Sequence, residues 1–171
     1  MTAPPESCDR CGFTYADVGI LEAAERTVAA AEVLGQELVA AGPAGAERPG
    51  PASWSAVEYA GHVRDVLLSI RERTVLATIL DEPVGTPIYR EERIALGLSR
   101  LDSPETLAVE LKVASDLLRR TLLALPDGAG ARTMTYSAQT PIIASVAWMA
   151  AQAAHEAEHH LADVRAAVGR R

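Results

Sequence analysis

Three of the four histidines in this chain have a spacing that would let them bind one metal ion. His155 and His159 are four residues apart in an alanine-rich segment, and on a helix this spacing places both imidazoles on one face. His62 lies in a separate apolar segment with a helical pattern. A third imidazole from a facing helix would complete a three-ligand site with an open position, which is the arrangement of a catalytic metal. We therefore predict a metal site at His62, His155 and His159, and a surface or rim position for His160. The alternative is that the late histidines are solvated residues on a helix surface.

Carboxylates near these histidines are candidates for proton transfer. Glu58 and Asp65 lie about one turn either side of His62, and Glu156 directly follows His155. A carboxylate in such a position can exchange a proton with a water or a substrate beside the metal. The alternative for Glu58 and Asp65 is ordinary surface charge, with Asp65 paired to a neighbouring arginine.

The late histidines also match the HExxH string of metalloproteases, in which Glu156 would be the general base. Such proteases usually take their third ligand from downstream, and Asp163 is the only acid after His159. Asp163 lies one turn further on the same helix, so it cannot close the far side of a metal. The third ligand must come from upstream, and this disfavours a protease.

Four long segments with helical periodicity are expected to position these residues. Ser55 and Glu58 fit a capping box, and Ser103 precedes a proline and an acid, as a helix start often does. The longer connections, Gly42–Ala52 and Asp81–Asp102, leave room for crossovers. The pattern predicts an all-α fold, a four-helix bundle with crossover connections. The expected helices run from about Tyr15 to Ala41, from Ser55 to about Leu80, from Pro104 to near Leu125, and from Pro141 to about Val168.

Two shorter elements are expected between these helices. Residues 88–99 have the pattern of a short helix or an ordered loop, and residues 133–137 that of a short extended piece. Residues 15–171 would form the bundle, and residues 1–14 an N-terminal arm.

The arm carries both cysteines of the chain, Cys8 and Cys11, in a CxxC motif followed by glycine. This motif is half of a zinc-ribbon site, and the second cysteine pair is missing. Three interpretations stay open: a reduced structural pair, a metal site completed by a histidine or another chain, and a reactive dithiol near the active site. We expect the first, a structural arm with little effect on metal content or turnover.

Composition narrows the class of protein. Hydrophobic residues make up 49% of the chain and aromatic residues 4%, and the apolar residues are mainly those that suit helices. The net charge of −7 argues against nucleic acid as a partner, since phosphate binding needs clustered basic residues. The chain begins without the pattern of a secretory signal, and no uncharged apolar run approaches a membrane span. We expect a cytoplasmic protein with no membrane partner.

Two segments, Trp54–Asp65 and Trp148–Asp163, resemble the DinB-like superfamily, which includes YfiT-like hydrolases and the N-terminal domain of mycothiol-dependent maleylpyruvate isomerases. The resemblance implies a four-helix bundle with crossover topology, a divalent metal ion such as zinc or nickel on three side chains, and a homodimer. Carried over residue by residue, it gives His62, His155 and His159 as ligands. The isomerase branch has glutamate as the middle ligand, where this chain has His155.

The expected function is that of a metal-dependent enzyme acting on a small molecule, either a thiol-dependent S-transferase or a hydrolase. The metal would lower the pKa of a bound thiol or water, and the resemblance implies a low-molecular-weight thiol as co-substrate. Arg90 or Arg93 would hold a carboxylate of the substrate. A non-catalytic metal- or thiol-binding sensor is the alternative, and a structural bundle with incidental histidines is a third possibility.

Overall fold

Four long helices dominate the computed structural model, which describes residues 2–139 and 141–169 but not the side chain of Arg100. The predicted all-α four-helix bundle is confirmed, with a short fifth helix and a two-stranded antiparallel sheet added in the connections. The helices are α1 (Ile20–Ala41), α2 (Ala56–Ile79), α3 (Arg90–Leu96), α4 (Pro104–Leu123) and α5 (Val146–Gly169), and the strands are β1 (Thr133–Thr135) and β2 (Ile143–Ser145).

Local capping fixes where α2 and α4 begin. The Ser55 side chain accepts from the backbone N–H of Glu58, whose carboxylate accepts from the Ser55 N–H in return. This is the predicted capping box. The Ser103 hydroxyl accepts from the N–H of Thr106, and Pro104 occupies the first helical position, where its missing N–H costs nothing. These caps satisfy backbone donors that would otherwise lack a partner.

The first two long helices, α1 and α2, lie at opposite corners of the bundle. Helix α1 packs on α4 and α5, α2 packs on the same two helices, and α1 and α2 barely touch. The connection from Gly42 therefore crosses the end of the bundle, as predicted. The expected second crossover, Asp81–Asp102, instead joins the adjacent helices α2 and α4. Within the described residues α4 and α5 share few contacts, so the chain crosses again between them, through β1 and β2.

The last helix starts later than predicted. Helix α5 begins at Val146, and the preceding Ile143–Ser145 pairs with Thr133–Thr135 as strand β2. The β-branched residues of both strands favour this extended pairing over another helical turn. The predicted extended piece at 133–137 is confirmed as β1, and its partner was not expected.

Small side chains let α5 approach its neighbours closely. Its buried positions are mostly alanines with 0% exposure, whereas α1, α2 and α4 contribute leucines. Close packing of this kind brings the polar residues of α5 within reach of both α2 and the N-terminal arm. Among the described residues, no helix is long and apolar enough to cross a membrane. The largest fully buried side chains include Leu34, Leu38, Leu67, Ile70, Leu107, Leu111, Leu118, Leu122 and Met149.

The N-terminal arm, residues 2–14 of the described structure, folds back onto α5. The indole N–H of Trp148 donates to the carbonyl of Pro5 at 3.1 Å. Phe13 is buried, and so is Tyr15 just beyond the arm, where its ring packs on Trp148. The arm is thus part of the packed structure and brings its cysteines to the surface of α5.

Candidate metal centres

Helix α5 carries two pairs of potential ligands, each with a spacing of four residues, and the structure places each pair in a different group. We name these groups the arm cluster and the helix cluster. Ligand atoms within each lie no more than 4.8 Å from one another. The arm cluster consists of Cys8, Cys11, His155 and His159, and the helix cluster of His62, Glu156 and His160.

The predicted trio of His62, His155 and His159 is therefore divided between the clusters. In the part of the chain that the structure describes, no group of close ligand atoms contains all three. The reason is the rotation of α5. Successive residues of a helix are turned by about 100°, so the side that faces α2 carries Glu156 and His160 rather than the preceding pair.

His160 is not the surface residue that the sequence suggested. Its side chain is 12% exposed, and its ring centroid lies 5.0 Å from that of His62. The packing of α5 against α2 turns His160 inward, so that it joins His62 in the helix cluster.

Donor atoms converge in the helix cluster. His62 Nε2 lies 3.3 Å from Glu156 Oε2, and His160 Nε2 lies 3.4 Å from the same oxygen. Neighbouring side chains bind the second polar atoms of His160 and Glu156. Asp163 Oδ2 contacts His160 Nδ1 at 2.9 Å, and Gln152 Nε2 donates to Glu156 Oε1 at 2.5 Å. A carboxylate behind a ligating histidine and a hydrogen bond to a ligating carboxylate are typical supports of a metal site.

Electrostatics in the helix cluster favour a bound cation. Burial alone would raise the pKa of Glu156, but hydrogen bonds from His160 and His62 bring it well below its ordinary value. Burial opposes protonation of His160, whereas hydrogen bonds to Asp163 and Glu156 raise its pKa to about 9. The carboxylates thus stabilise one positive charge on the imidazole. A divalent metal can take the place of the second imidazole proton of His160, so this donor set fits a divalent metal ion.

Aromatic rings cover the outer side of the helix cluster. Trp54 contacts His62 edge-on with ring centroids 5.6 Å apart, and Tyr59 stacks on His160 at 5.5 Å. A cavity of about 200 Å³ lies beside them, lined in part by both aromatic residues and Asp163. Its volume suits a small ligand.

Glu58 has a structural role. Its side chain is 5% exposed, and both oxygens accept hydrogen bonds from the Arg48 guanidinium at 2.6 and 2.8 Å, in addition to the capping contact with Ser55. Burial raises its pKa, but Arg48 and Ser55 together lower it below the ordinary value. A carboxylate held in this way is not placed to move protons, contrary to the expectation from sequence.

Two of the remaining predicted residues, Asp65 and Arg93, line a second cleft of about 240 Å³ next to α2. Asp65 accepts from Arg64 at 3.0 Å and from Arg93 at 2.9 Å, so the surface-pair alternative describes Asp65 better than proton transfer does. Arg93 lines the cleft and can still face a substrate. Arg90 instead pairs with its neighbour Glu91, has a 61% exposed side chain, and is not part of the lining.

Sequence reasoning did not place Glu156 and His160 together with His62 in one candidate site, nor Gln152 and Asp163 beside them. The signal was present, because Glu156 and His160 have the same spacing of four as the pair chosen instead. Only the rotation of α5 against α2 selects between these two pairs.

Comparison with known proteins agrees with this architecture. A family model described as the DinB superfamily matches residues 21–164. The chain belongs to the DinB superfamily. One similar solved structure is that of YfiT from Bacillus subtilis, described as a probable metal-dependent hydrolase with an unusual four-helix bundle topology. The TM-score is 0.72 at 16% identity, with 98% of this chain and 91% of that chain covered, so the likeness shows a shared fold. Comparison with the sequences of curated proteins gives no match.

Proposed function

We propose that this member of the DinB superfamily is a metal-dependent enzyme whose helix cluster binds a divalent ion beside a small nucleophile. The observation that carries the proposal is the convergence of His62 Nε2 and His160 Nε2 on Glu156 Oε2, at 3.3 and 3.4 Å. When bound, the metal would act as a Lewis acid and would lower the pKa of a thiol or a water towards neutral. Three protein donors leave a position open for that nucleophile.

A low-molecular-weight thiol is the nucleophile that we favour. The sequence resembles a superfamily whose isomerase branch has glutamate as the middle ligand. Glu156 matches that glutamate if the middle ligand is assigned to the residue after His155. In the proposed S-transfer, the thiol loses its proton to solvent, a carbon–sulfur bond forms, and the leaving group departs with its electron pair.

Hydrolysis is the second candidate. The structural likeness to YfiT, which is described as a probable metal-dependent hydrolase, favours it. The same cluster would serve both reactions, because water and a thiol need the same lowering of pKa.

Residues of this chain have separate tasks in the proposal. Asp163 accepts the Nδ1 proton of His160, and this leaves the lone pair of Nε2 free to bind a metal. Gln152 holds one oxygen of Glu156 and leaves the other directed at the histidines. The second polar atom of Gln152, Oε1, is buried and has no hydrogen-bond partner among the described residues. Trp54 and Tyr59 exclude water from the outer side.

The substrate that fits best is a small electrophile with a carboxylate. Two of the cavities lined by residues of α2 measure about 200 and 240 Å³, and Arg93 lines the second. The Arg93 guanidinium is bound to Asp65 in the structure, and a carboxylate can compete for it.

Turnover by untagged protein, loaded with zinc or nickel, tests this proposal. Reaction of a small aryl halide with cysteine should be accelerated by the wild type and by Glu158→Gln, but not by His62→Ala or Glu156→Gln. Glu158 is a suitable control, because it is a carboxylate on the same helix and outside the helix cluster.

Parallel assays distinguish the candidates. Cleavage of a nitrophenyl ester without thiol would identify hydrolysis as the reaction. Metal binding at the helix cluster without either activity would favour the sensor alternative. Full turnover in both His62→Ala and His160→Ala would contradict the proposal.

A further inference from the structure

We propose that the arm cluster, Cys8, Cys11, His155 and His159, binds a structural zinc ion that fastens the N-terminal arm to α5. This site is separate from the helix cluster and does not depend on the function proposed for it.

Two thiols and two imidazoles are the donor set of a closed tetrahedral zinc site. The ligand atoms lie within 4.8 Å of each other, and Cys8 Sγ is 3.8 Å from His159 Nδ1. Zinc–ligand bonds of tetrahedral sites imply donor separations of roughly 3.3–3.8 Å. Small movements of the side chains would therefore close the site.

The arm forms a tight turn around the cysteines. The Gly12 N–H donates to the Cys8 carbonyl at 2.8 Å, and the Cys8 N–H donates to the Phe13 carbonyl at 2.8 Å. Gly12 has φ +74°, a conformation that glycine adopts without strain. The turn holds the two sulfurs close to each other and to the histidines of α5.

A buried nitrogen without a partner belongs to one histidine of this cluster. His155 is 8% exposed, and its Nε2 has no hydrogen-bond partner among the described residues. The other ring nitrogen, Nδ1, lies 3.2 Å from the Tyr15 hydroxyl. Buried polar atoms are normally satisfied, and an orphan of this kind needs an explanation. If Nδ1–H donates to Tyr15, the lone pair of Nε2 is free for zinc.

His159 is oriented in the same way. Its Nδ1 faces Cys8, and its Nε2 lies 3.7 Å from Asp163. Asp163 also accepts from Arg10 of the cysteine turn at 2.9 Å. This contact positions the turn over α5 and places a carboxylate behind a ligating histidine, as in many metal sites.

Four protein ligands leave no position for a substrate, so the site is structural rather than catalytic. Both thiols lose their protons to solvent as zinc enters, and the imidazoles keep one proton each. About two protons therefore leave for each zinc bound, and no oxidant is required. The two thiolates balance the charge of the ion.

Cobalt substitution separates this site from the helix cluster. Thiolate ligands give cobalt(II) an intense near-ultraviolet charge-transfer band, which imidazole and carboxylate ligands do not. The band should appear in the wild type, in His62→Ala and in Ser7→Ala, a control on the same arm. It should be lost in the Cys8→Ser, Cys11→Ser double variant, which should bind about one zinc fewer per chain.

Wild-type protein gives an independent test if that variant folds poorly. Zinc should protect both cysteines from alkylation by iodoacetamide, and a zinc titration should release about two protons per ion. Rapid alkylation of Cys11 in zinc-loaded protein would overturn the proposal, since this exposed thiol has no other protection. An unchanged zinc content in a folded double variant would do the same, and neither result bears on the helix cluster.

Discussion

The two sides of α5 show how one spacing supports two different kinds of site. His155 and His159 on one side, and Glu156 and His160 on the other, are both four residues apart. The side toward α2 gains one more donor, and the side toward the arm gains two sulfurs. The neighbouring element therefore sets the number and softness of the ligands. We infer an open site for chemistry on the first side and a closed site for anchoring on the second.

Asp163 belongs to neither cluster but contacts one histidine of each. Its carboxylate lies 2.9 Å from His160 and 3.7 Å from His159, and Arg10 of the arm pairs with it as well. A change at this position should reach both sites, but the shorter contact should respond more strongly.

The largest expected effect comes from removing one histidine ligand from each cluster in turn. His62→Ala should lower turnover by more than about 100-fold, beyond the range typical of changes to outer-sphere partners. His155→Ala should leave turnover within a few-fold of the wild type and reduce zinc content instead. Steady-state kinetics with elemental analysis of both variants gives the answer. Equal loss of one common metal in both would restore the three-histidine site predicted from the sequence.

A smaller effect is expected for Asp163→Asn. Loss of the carboxylate behind His160 should weaken metal binding at the helix cluster by roughly 10- to 100-fold. The arm cluster should lose less, because the contact with His159 is longer. Competition with a metal indicator measures both affinities when each cluster is isolated by a variant in the other. A larger loss at the arm cluster would reverse the ranking that we draw from the two distances.

Local signals explain what the sequence predicted about the fold. The starts of α2 and α4 depend on side chains within three residues of Ser55 and Ser103, so a short window contains all the information needed. The start of α5 depends on pairing between β1 and β2, which involves a separate segment of the chain. Propensity alone therefore extended α5 too far towards its N-terminus.

Rotation of a helix explains why the site was only partly predicted. His62 was identified because it stands alone in its segment, whereas two equivalent pairs compete on α5. Buried alanines decide between these pairs, and their packing is a property of the whole bundle. The cysteine site joins residues that are 151 positions apart, Cys8 and His159, so a histidine could be considered as a partner of the cysteines but not located.

A moderate effect on the arm cluster alone is expected from Tyr15→Phe. The change removes the hydroxyl 3.2 Å from His155 Nδ1 but keeps the buried ring. Loss of such an outer-sphere partner should reduce zinc affinity by about 10-fold, while turnover at the helix cluster stays unchanged. A zinc competition titration and the thiol assay test both parts. Reduced turnover with normal zinc affinity would mean that Tyr15 serves the helix cluster.

The smallest effect that bears on the comparison comes from the side-chain caps of α4 and α2. Ser103→Ala removes the side-chain cap of α4, a helix that contributes no ligand, and should lower the free energy of unfolding by about 1 kcal/mol. Ser55→Ala should cost a similar amount, but α2 carries His62, and the cap also holds Glu58. Urea denaturation measures both losses, and metal titration shows whether either reaches a cluster. We expect unchanged metal affinity in Ser103→Ala, because packing of α2 against α5 holds the helix cluster together. Weaker binding in Ser55→Ala but not in Ser103→Ala would show that the position of His62 also depends on the cap two turns before it.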